Sequence, residues 1–261
     1  MKNMLIVLEG ADGAGKSTMA RNLQFEMMKR NKELKVKVIG FPHSSSFAYK
    51  KIREILKDPD RFPPDILQSI FIANQIECAE NVINPFFNEY SENRVIILDR
   101  SILSTIVYNA LNGGTIFNSI LSYTHSVANS IVPGSLSRNE VDFDIINKVY
   151  GHLIQPVSCT FFLFPPVELL IEHANSRKSE EENDRADSVI KSYEAYVSLY
   201  KFLTGSLHRD FIDSLERSTD MLVPNTHKYD KYIGLTHWNR NKTEEENYIL
   251  WRDEVLSKLN I

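Results

Sequence analysis

Met4-Leu5-Ile6-Val7-Leu8 is an unbroken apolar run closed by Glu9, a pattern that predicts a strand buried on both faces of a parallel sheet. From Ser17 to about Lys29 the period changes: Met19, Leu23 and Met27 recur at every fourth position, with Ala20 and Met28 widening the stripe. That spacing predicts an amphipathic helix. Further apolar runs predict strands over 36–39, 95–98, 160–164 and 221–223. Helical patterns separate most of them, so the expected architecture is α/β: right-handed βα units on a parallel five-stranded sheet flanked by helices.

Two stretches fit this plan poorly. Between residues 111 and 156 the pattern weakens into Asn112-Gly113-Gly114 and Pro133-Gly134-Ser135, which reads as an insertion or an irregular helical region. Residues 175–187 are densely charged, with Arg177, Lys178, Arg185 and five acids, and read as an exposed loop between two helices. The chain then recovers a clear signal. Thr243 with Glu246 is a capping box ahead of Tyr248, Trp251, Val255 and Leu259, which predicts a docked helix over about 243–259. The whole is expected to be one domain, 1–261.

Composition narrows the class. Of 261 residues, 43% are hydrophobic and 25% charged, which excludes disordered, collagen-like and coiled-coil proteins. The formal net charge is −4, so there is no general nucleic-acid footprint, and phosphates must be held by local cations. Cys78 and Cys159 are too few for a disulfide framework or a zinc site and suit a reducing cytosol. The apolar run at 4–8 is too short for a signal or a membrane span, so a cytoplasmic location without a membrane partner is expected.

Gly10-Ala11-Asp12-Gly13-Ala14-Gly15-Lys16-Ser17 fits the P-loop pattern between a predicted strand and a predicted helix. In such a loop consecutive backbone N–H groups turn around a phosphate at a helix N-terminus. Lys16 supplies a point charge, and the Ser17 hydroxyl is a Mg²⁺ ligand. With Thr18, residues Gly10 and Asp12 to Ser17 form the candidate phosphate-binding set for ATP. The motif alone does not separate kinases from other P-loop NTPases. A guanine-reading Asn-Lys-x-Asp is absent from the sequence, which argues against a GTPase.

Three further groups carry candidate chemistry. Phe71 and Gln75 share a helical face, where a ring stacks on a base while an amide reads its edge, although the same spacing describes a core aromatic. Arg100 directly follows a strand, at the sheet end where ligands of open α/β folds bind, and suits a phosphate clamp or an ion pair with Asp99. Ser104 and Tyr108 share a face four residues apart.

Taken together, Leu8 to Thr18, Phe41-Pro42 with the helical stretch 52–56, Phe71-Ile72-Ala73-Asn74-Gln75-Ile76-Glu77, and Asp99-Arg100-Ser101 with Ser104 and Tyr108 resemble thymidylate kinases, in order. The resemblance covers most of residues 4–109 and, weakly, 160–203. It implies a P-loop NTPase fold with a helical lid and ATP-dependent conversion of dTMP to dTDP on the way to dTTP. It implies that Phe71 stacks on thymine and that Phe41, Gln75, Ser104 and Thr105 border the acceptor nucleotide. By the same resemblance Tyr108 excludes a 2′-hydroxyl, and Asp12 meets the acceptor's 3′-hydroxyl and the Mg²⁺ shell, with Ser17 and Asp99 as the other metal candidates. The lid, about 175–187, carries Arg177 and Arg185, of which Arg185 joins Lys16, Arg100 and Asp12 in the catalytic set. Mg²⁺ with ATP and a homodimer packed through the helices flanking the acceptor site are likewise implied. An acceptor phosphate monoester is largely dianionic at neutral pH, so catalysis is positioning and charge neutralisation without a general base.

The sequence also departs from that pattern. The arginine that the family commonly carries after Phe-Pro is missing from Phe41-Pro42-His43-Ser44-Ser45-Ser46, leaving His43, Lys50, Lys51 or Arg53 as substitutes. Gln75 stands where an arginine usually faces thymine O4, which predicts relaxed or altered base choice, because a carboxamide both donates and accepts. Asp99-Arg100-Ser101 is also similar to the Glu-Arg-Ser element of deoxynucleoside kinases, which act on thymidine itself. Those enzymes need a carboxylate base after the second strand, and 41–46 contains none, so that reading ranks second. A nucleotide-binding interaction protein without catalysis is the third.

Overall fold

A computed structural model of the chain describes residues 3–57, 62–89, 93–112, 149, 151–176, 186–204 and 232–261. Five parallel strands form one sheet in the order β2-β3-β1-β4-β5: β1 Met4–Glu9, β2 Lys35–Gly40, β3 Arg94–Asp99, β4 Val157–Leu163 and β5 Tyr232–Leu235. The helices are α1 Lys16–Arg30, α2 Tyr49–Ile55, α3 Pro64–Cys78, α4 Asn84–Asn88, α5 Ile102–Leu111, α6 Val167–Ser176, α7 Ala186–Thr204 and α8 Glu244–Lys258. A π-helical turn, Ala79–Ile83, joins α3 to α4.

The apolar run of β1 becomes a central strand because its two faces serve two cores. Ile6 and Leu8 pack with α1, α7 and α8 residues such as Leu23, Tyr196 and Trp251, all with no exposed surface. Leu5 and Val7 face the other way, against Ile96, Leu98, Cys78 and Ile83. With helices over both faces, and the glycine-rich turn between β1 and α1, this is the three-layer P-loop NTPase fold.

The predicted strands at 36–39 and 95–98 fall inside β2 and β3. β4 starts three residues earlier than the predicted 160 and stops before Phe164, which instead packs edge-on against Tyr193 and Tyr200. The expected strand 221–223 lies outside the described residues; β5, with Gly234 at its centre under Tyr200, is too short and too weakly apolar to stand out in the sequence. Met28 is a correction to the α1 stripe: it is 43% exposed, because the buried face follows Met19, Ala20, Leu23 and Met27 only. The charged segment bearing Arg177, Lys178 and Arg185, and most of 111–156, also lie outside the described residues, although α6 and α7 do bracket the former as helices. The capping box of α8 forms as expected, with Tyr248, Trp251 and Val255 buried.

The sheet positions the chemistry. β1 pairs with β3 in register, Leu8 beside Asp99, so the loop leaving β1 and the turn leaving β3 emerge side by side at the C-terminal edge of the sheet. Ligands of open α/β sheets bind at that edge.

Candidate active site

The phosphate loop turns between β1 and α1 through backbone conformations that only glycine adopts cheaply. Gly15 has φ +80° and caps α1, and a Cβ there would lie 2.0 Å from the Tyr248 hydroxyl of α8. Tyr248 is itself held edge-on between Trp238 and Trp251. Lys16 folds back over the loop, its Nζ donating to the carbonyls of Gly10 and Ala11 at 2.9 and 2.7 Å. Burial, then the charge of Arg100, lowers the Lys16 pKa to about 8. On the first turn of α1, Ser17 and Thr18 are exposed, and Ser17 Oγ donates to Asp99 Oδ2 at 2.5 Å. His173 of α6 supports the loop from behind, with Nδ1 2.9 Å from the Gly13 carbonyl and Nε2 3.1 Å from Glu244 of α8.

The donor set of Ser17 and Asp99 fits a cation that arrives with phosphates. Mg²⁺ keeps several waters and takes only one or two protein oxygens beside substrate phosphates, and these two oxygens are adjacent at the mouth of the loop. Among the described residues no cluster of three His, Cys, Asp or Glu side chains could hold a metal by itself.

Next to the loop lies a cavity of about 320 Å³ whose wall gathers most of the residues singled out from the sequence. Phe41 enters from the end of β2, Phe71 and Gln75 from α3, and Ser104, Thr105 and Tyr108 from α5, while Asp12 and Arg100 form the end nearest the phosphate loop. Phe71 is half-buried, lines the cavity and belongs to neither core cluster. Gln75 Nε2 donates to Thr105 Oγ1 at 2.8 Å, which locks one end of the amide.

Arg100 is the hub between cavity and loop. Its backbone sits at φ +78°, a left-handed conformation that costs a non-glycine residue roughly 1–3 kcal/mol and concentrates at functional positions. The side chain pairs with Asp12, donates to Ser104 Oγ and Tyr196 OH at 3.3 Å each, and lies over the Tyr108 ring. Tyr108 OH donates to the other Asp12 oxygen at 2.7 Å. Burial, then the Asp12 carboxylate, pushes the Tyr108 phenol up, so it remains a donor. Beneath this layer Glu9, fully buried, accepts from Ser101 and Ser104 at 2.6 Å each. Burial raises its pKa, against the pull of those two hydroxyls and of Arg100 and Lys16. Chemically the assembly offers a phosphate cradle and a flat, aromatic-walled slot that meet at one guanidinium and one carboxylate.

The family model for thymidylate kinase matches residues 8–133. Over these residues the chain is similar to thymidylate kinases. It is 34% identical to the thymidylate kinase of Brachyspira hyodysenteriae over 43% of this chain and 52% of that one. It is 31% identical to that of Caldicellulosiruptor saccharolyticus over 51% and 62%. Protein 251L of Invertebrate iridescent virus 6, provisionally named a thymidylate kinase, is 27% identical over 76% of this chain and 78% of its own length. The match to the first of these relatives thus spans about half of that protein.

The loop after Phe41-Pro42 is fixed by groups the motif does not advertise. Asn74, fully buried, accepts from the His43 N–H at 2.8 Å and donates to the His43 carbonyl at 3.1 Å. Glu77 accepts from Ser46 Oγ at 2.5 Å and from the Phe47 N–H. Of the four substitutes for the missing arginine, only Arg53 lines the cavity. Lys51 bonds Glu54 and lies over Phe62, while burial and then Lys37 lower the His43 pKa and so disfavour a cation there. Ser101 caps α5 by accepting from the Leu103 N–H. Sequence reasoning missed Glu9, Tyr196 and Gln68. Glu9 interrupts an apolar run at a strand's end, which was the available signal; Tyr196 and Gln68 sit on helix faces whose burial depends on distant partners.

Proposed function

We propose that the protein phosphorylates a deoxynucleoside monophosphate with ATP, dTMP to dTDP foremost. The observation that carries this reading is the junction at Asp12 and Arg100, where a P-loop and an aromatic-walled cavity share one ion pair. The donor triphosphate lies along Gly10 and Asp12 to Thr18, with Lys16 leaving the loop carbonyls to meet it. Ser17 and Asp99, with Asp12 nearby, would hold Mg²⁺ together with the phosphates, and the ion would supply charge neutralisation on the donor. The acceptor base stacks on Phe71, its sugar lies against Tyr108, and Arg100 grips its phosphate, with Arg53 at the mouth as the cation that replaces the arginine after Phe41-Pro42. Phosphoryl transfer spreads charge over three equatorial oxygens, and arginines closing from the lid, Arg185 foremost and Arg177, complete the neutralisation. The working protein on this reading is a cytosolic homodimer packed through the helices beside the acceptor site.

The test is diphosphate formation from Mg²⁺-ATP and dTMP, dUMP, dCMP, dGMP, UMP or thymidine, with Lys16→Ala as blank. Transfer to dTMP and not UMP is expected, and Lys16→Ala and Arg100→Ala should each lower turnover by at least 100-fold, about 2.7 kcal/mol of transition-state stabilisation. Activity on thymidine alone would move the assignment to a deoxynucleoside kinase. ATP binding without transfer to any acceptor would leave a nucleotide-binding interaction protein.

A further inference from the structure

Of the tyrosines on α7, Tyr196 alone has no exposed surface. Its ring belongs to the main core, and it does not line the cavity. Its hydroxyl nevertheless reaches Arg100, accepting from Nη1 at 3.3 Å, and lies 2.7 Å from Ser104 Oγ of α5. Ser104 Oγ accepts from the same Nη1, also at 3.3 Å. Counting hydrogens fixes the direction of every bond in this cluster. A serine hydroxyl has one hydrogen, and Ser104 gives it to Glu9 Oε2 at 2.6 Å. In the 2.7 Å contact Tyr196 is therefore the donor, and its lone pairs are left for Arg100. Burial, then the Glu9 carboxylate, raises the Tyr196 pKa, so the phenol keeps the hydrogen that this order requires.

The two terminal nitrogens of Arg100 thus meet different kinds of partner. Nη1 rests on two neutral hydroxyls, one from α5 and one from α7, whereas Nη2 meets the Asp12 carboxylate. A hydroxyl fixes a guanidinium without cancelling its charge; a carboxylate in the place of Tyr196 would spend that charge before any ligand arrived. A bidentate grip on a phosphate also depends on the plane of the guanidinium, because its donors form a rigid fork. We propose that Tyr196 is a positioning residue for the acceptor's phosphate: with Ser104, its hydroxyl pins Nη1 and so turns the other edge of the Arg100 guanidinium toward the phosphate of a bound nucleoside monophosphate. This rests on the reading of the cavity as the acceptor nucleotide's site. Closed to the cavity, Tyr196 touches no ligand and acts only through Arg100, whose side chain does line it. Two hydroxyls from different helices hold the plane that one would leave free to turn, and they keep holding it when Nη2 exchanges Asp12 for the phosphate. Such support from a locked neighbouring side chain is what a phosphate clamp needs to keep its geometry.

The experiment is calorimetric binding of dTMP and thymidine to wild-type protein, Tyr196→Phe, Arg100→Ala and the double variant, each checked for folding by urea unfolding. Phenylalanine keeps the ring in the core and removes only the hydroxyl. Tyr196→Phe should weaken dTMP by about fivefold or more and leave thymidine, which has no phosphate, within about twofold. In the Arg100→Ala background the same substitution should change dTMP affinity by less than about twofold, because the group it acts through is gone. Equal weakening of dTMP and thymidine, no change in dTMP, or the same loss with and without Arg100 overturns the proposal. Where thymidine, or dTMP in the Arg100→Ala background, binds too weakly to measure, the other comparison decides alone. Wild-type protein that binds dTMP without phosphorylating it removes the kinase reading and leaves this test intact, whereas wild-type protein that binds no dTMP overturns both.

Discussion

Gly15→Ala should damage the protein through a partner 233 positions away, Tyr248, and the structure sets the size of the effect. The added Cβ would lie 2.0, 2.2 and 2.4 Å from the hydroxyl, Cζ and Cε1 of Tyr248, so the ring or the loop must move. The ring cannot swing freely, because Trp238 and Trp251 meet it edge-on at 5.6 and 5.9 Å between centroids. Overpacking of this kind costs about 1–3 kcal/mol, and the left-handed φ of +80° adds roughly 1–2 kcal/mol for any residue with a Cβ. The single substitution should therefore destabilise by roughly 2–5 kcal/mol. Tyr248→Leu removes the three colliding atoms and keeps an apolar stem. In that background Gly15→Ala should cost only the backbone part, roughly 1–2 kcal/mol. The assay is a double-mutant cycle by urea unfolding, with Mg²⁺-ATP affinity measured on the same four proteins. Stability changes that add to within about 0.5 kcal/mol would refute the strut between α8 and the phosphate loop.

Asn74→Ala removes both side-chain hydrogen bonds to the His43 backbone and should lower stability by roughly 2–4 kcal/mol. On the proposed function it should also raise the acceptor KM more than it lowers kcat, since the loop carrying Phe41 borders the cavity; steady-state kinetics and urea unfolding check both. Burial pushes the Cys78 thiol up to about 12 and leaves it 1% exposed. Its folded-state pKa lies above the unfolded value, so its thiolate stays unpopulated in the native protein between pH 7 and 9. Alkylation of Cys78 at pH 8, followed by mass spectrometry, should be roughly 100-fold or more slower in native buffer than in denaturant; comparable rates in the two would contradict the buried placement.

How far the sequence could be read depended on how local each signal was. The β1 run, the phosphate loop, the stripe of Met19, Leu23 and Met27, and the Thr243 capping box are each written within a dozen consecutive residues, and each takes the expected form. Met28 and β5 went differently for the same reason: burial of a residue at the margin of a stripe, or pairing of a strand with glycine at its centre, is decided by what packs over it. In the site, Phe71, Gln75, Ser104 and Tyr108 line one cavity, as helical spacing puts each pair on one face, but spacing left the core reading of Phe71 open and only the resemblance to thymidylate kinases singled these residues out. Glu9, Tyr196 and Gln68 were not legible. Glu9 meets Ser104 across 95 positions and Tyr196 meets Arg100 across 96, and no periodicity encodes such meetings.

Those long-range contacts also explain why the two halves of the site are mechanically one. Glu9 ends β1 and Asp99 ends β3, and the register of the two strands brings the phosphate loop and the Arg100 turn together without any contact between side chains being required. The side chains then fasten that arrangement. Glu9 holds the start of α5 through Ser101 and Ser104, Ser104 and Tyr196 hold Arg100, and Arg100 holds Asp12 within the phosphate loop. A displacement of the loop therefore moves Asp12, loads Arg100 and reaches α5, the helix whose Thr105 anchors Gln75. On the proposed function, filling the phosphate loop would bias the acceptor cavity through a chain of bonded groups. The buried Glu9 side chain is the polar link in this coupling, because its two hydroxyl partners tie the end of β1 to the start of α5.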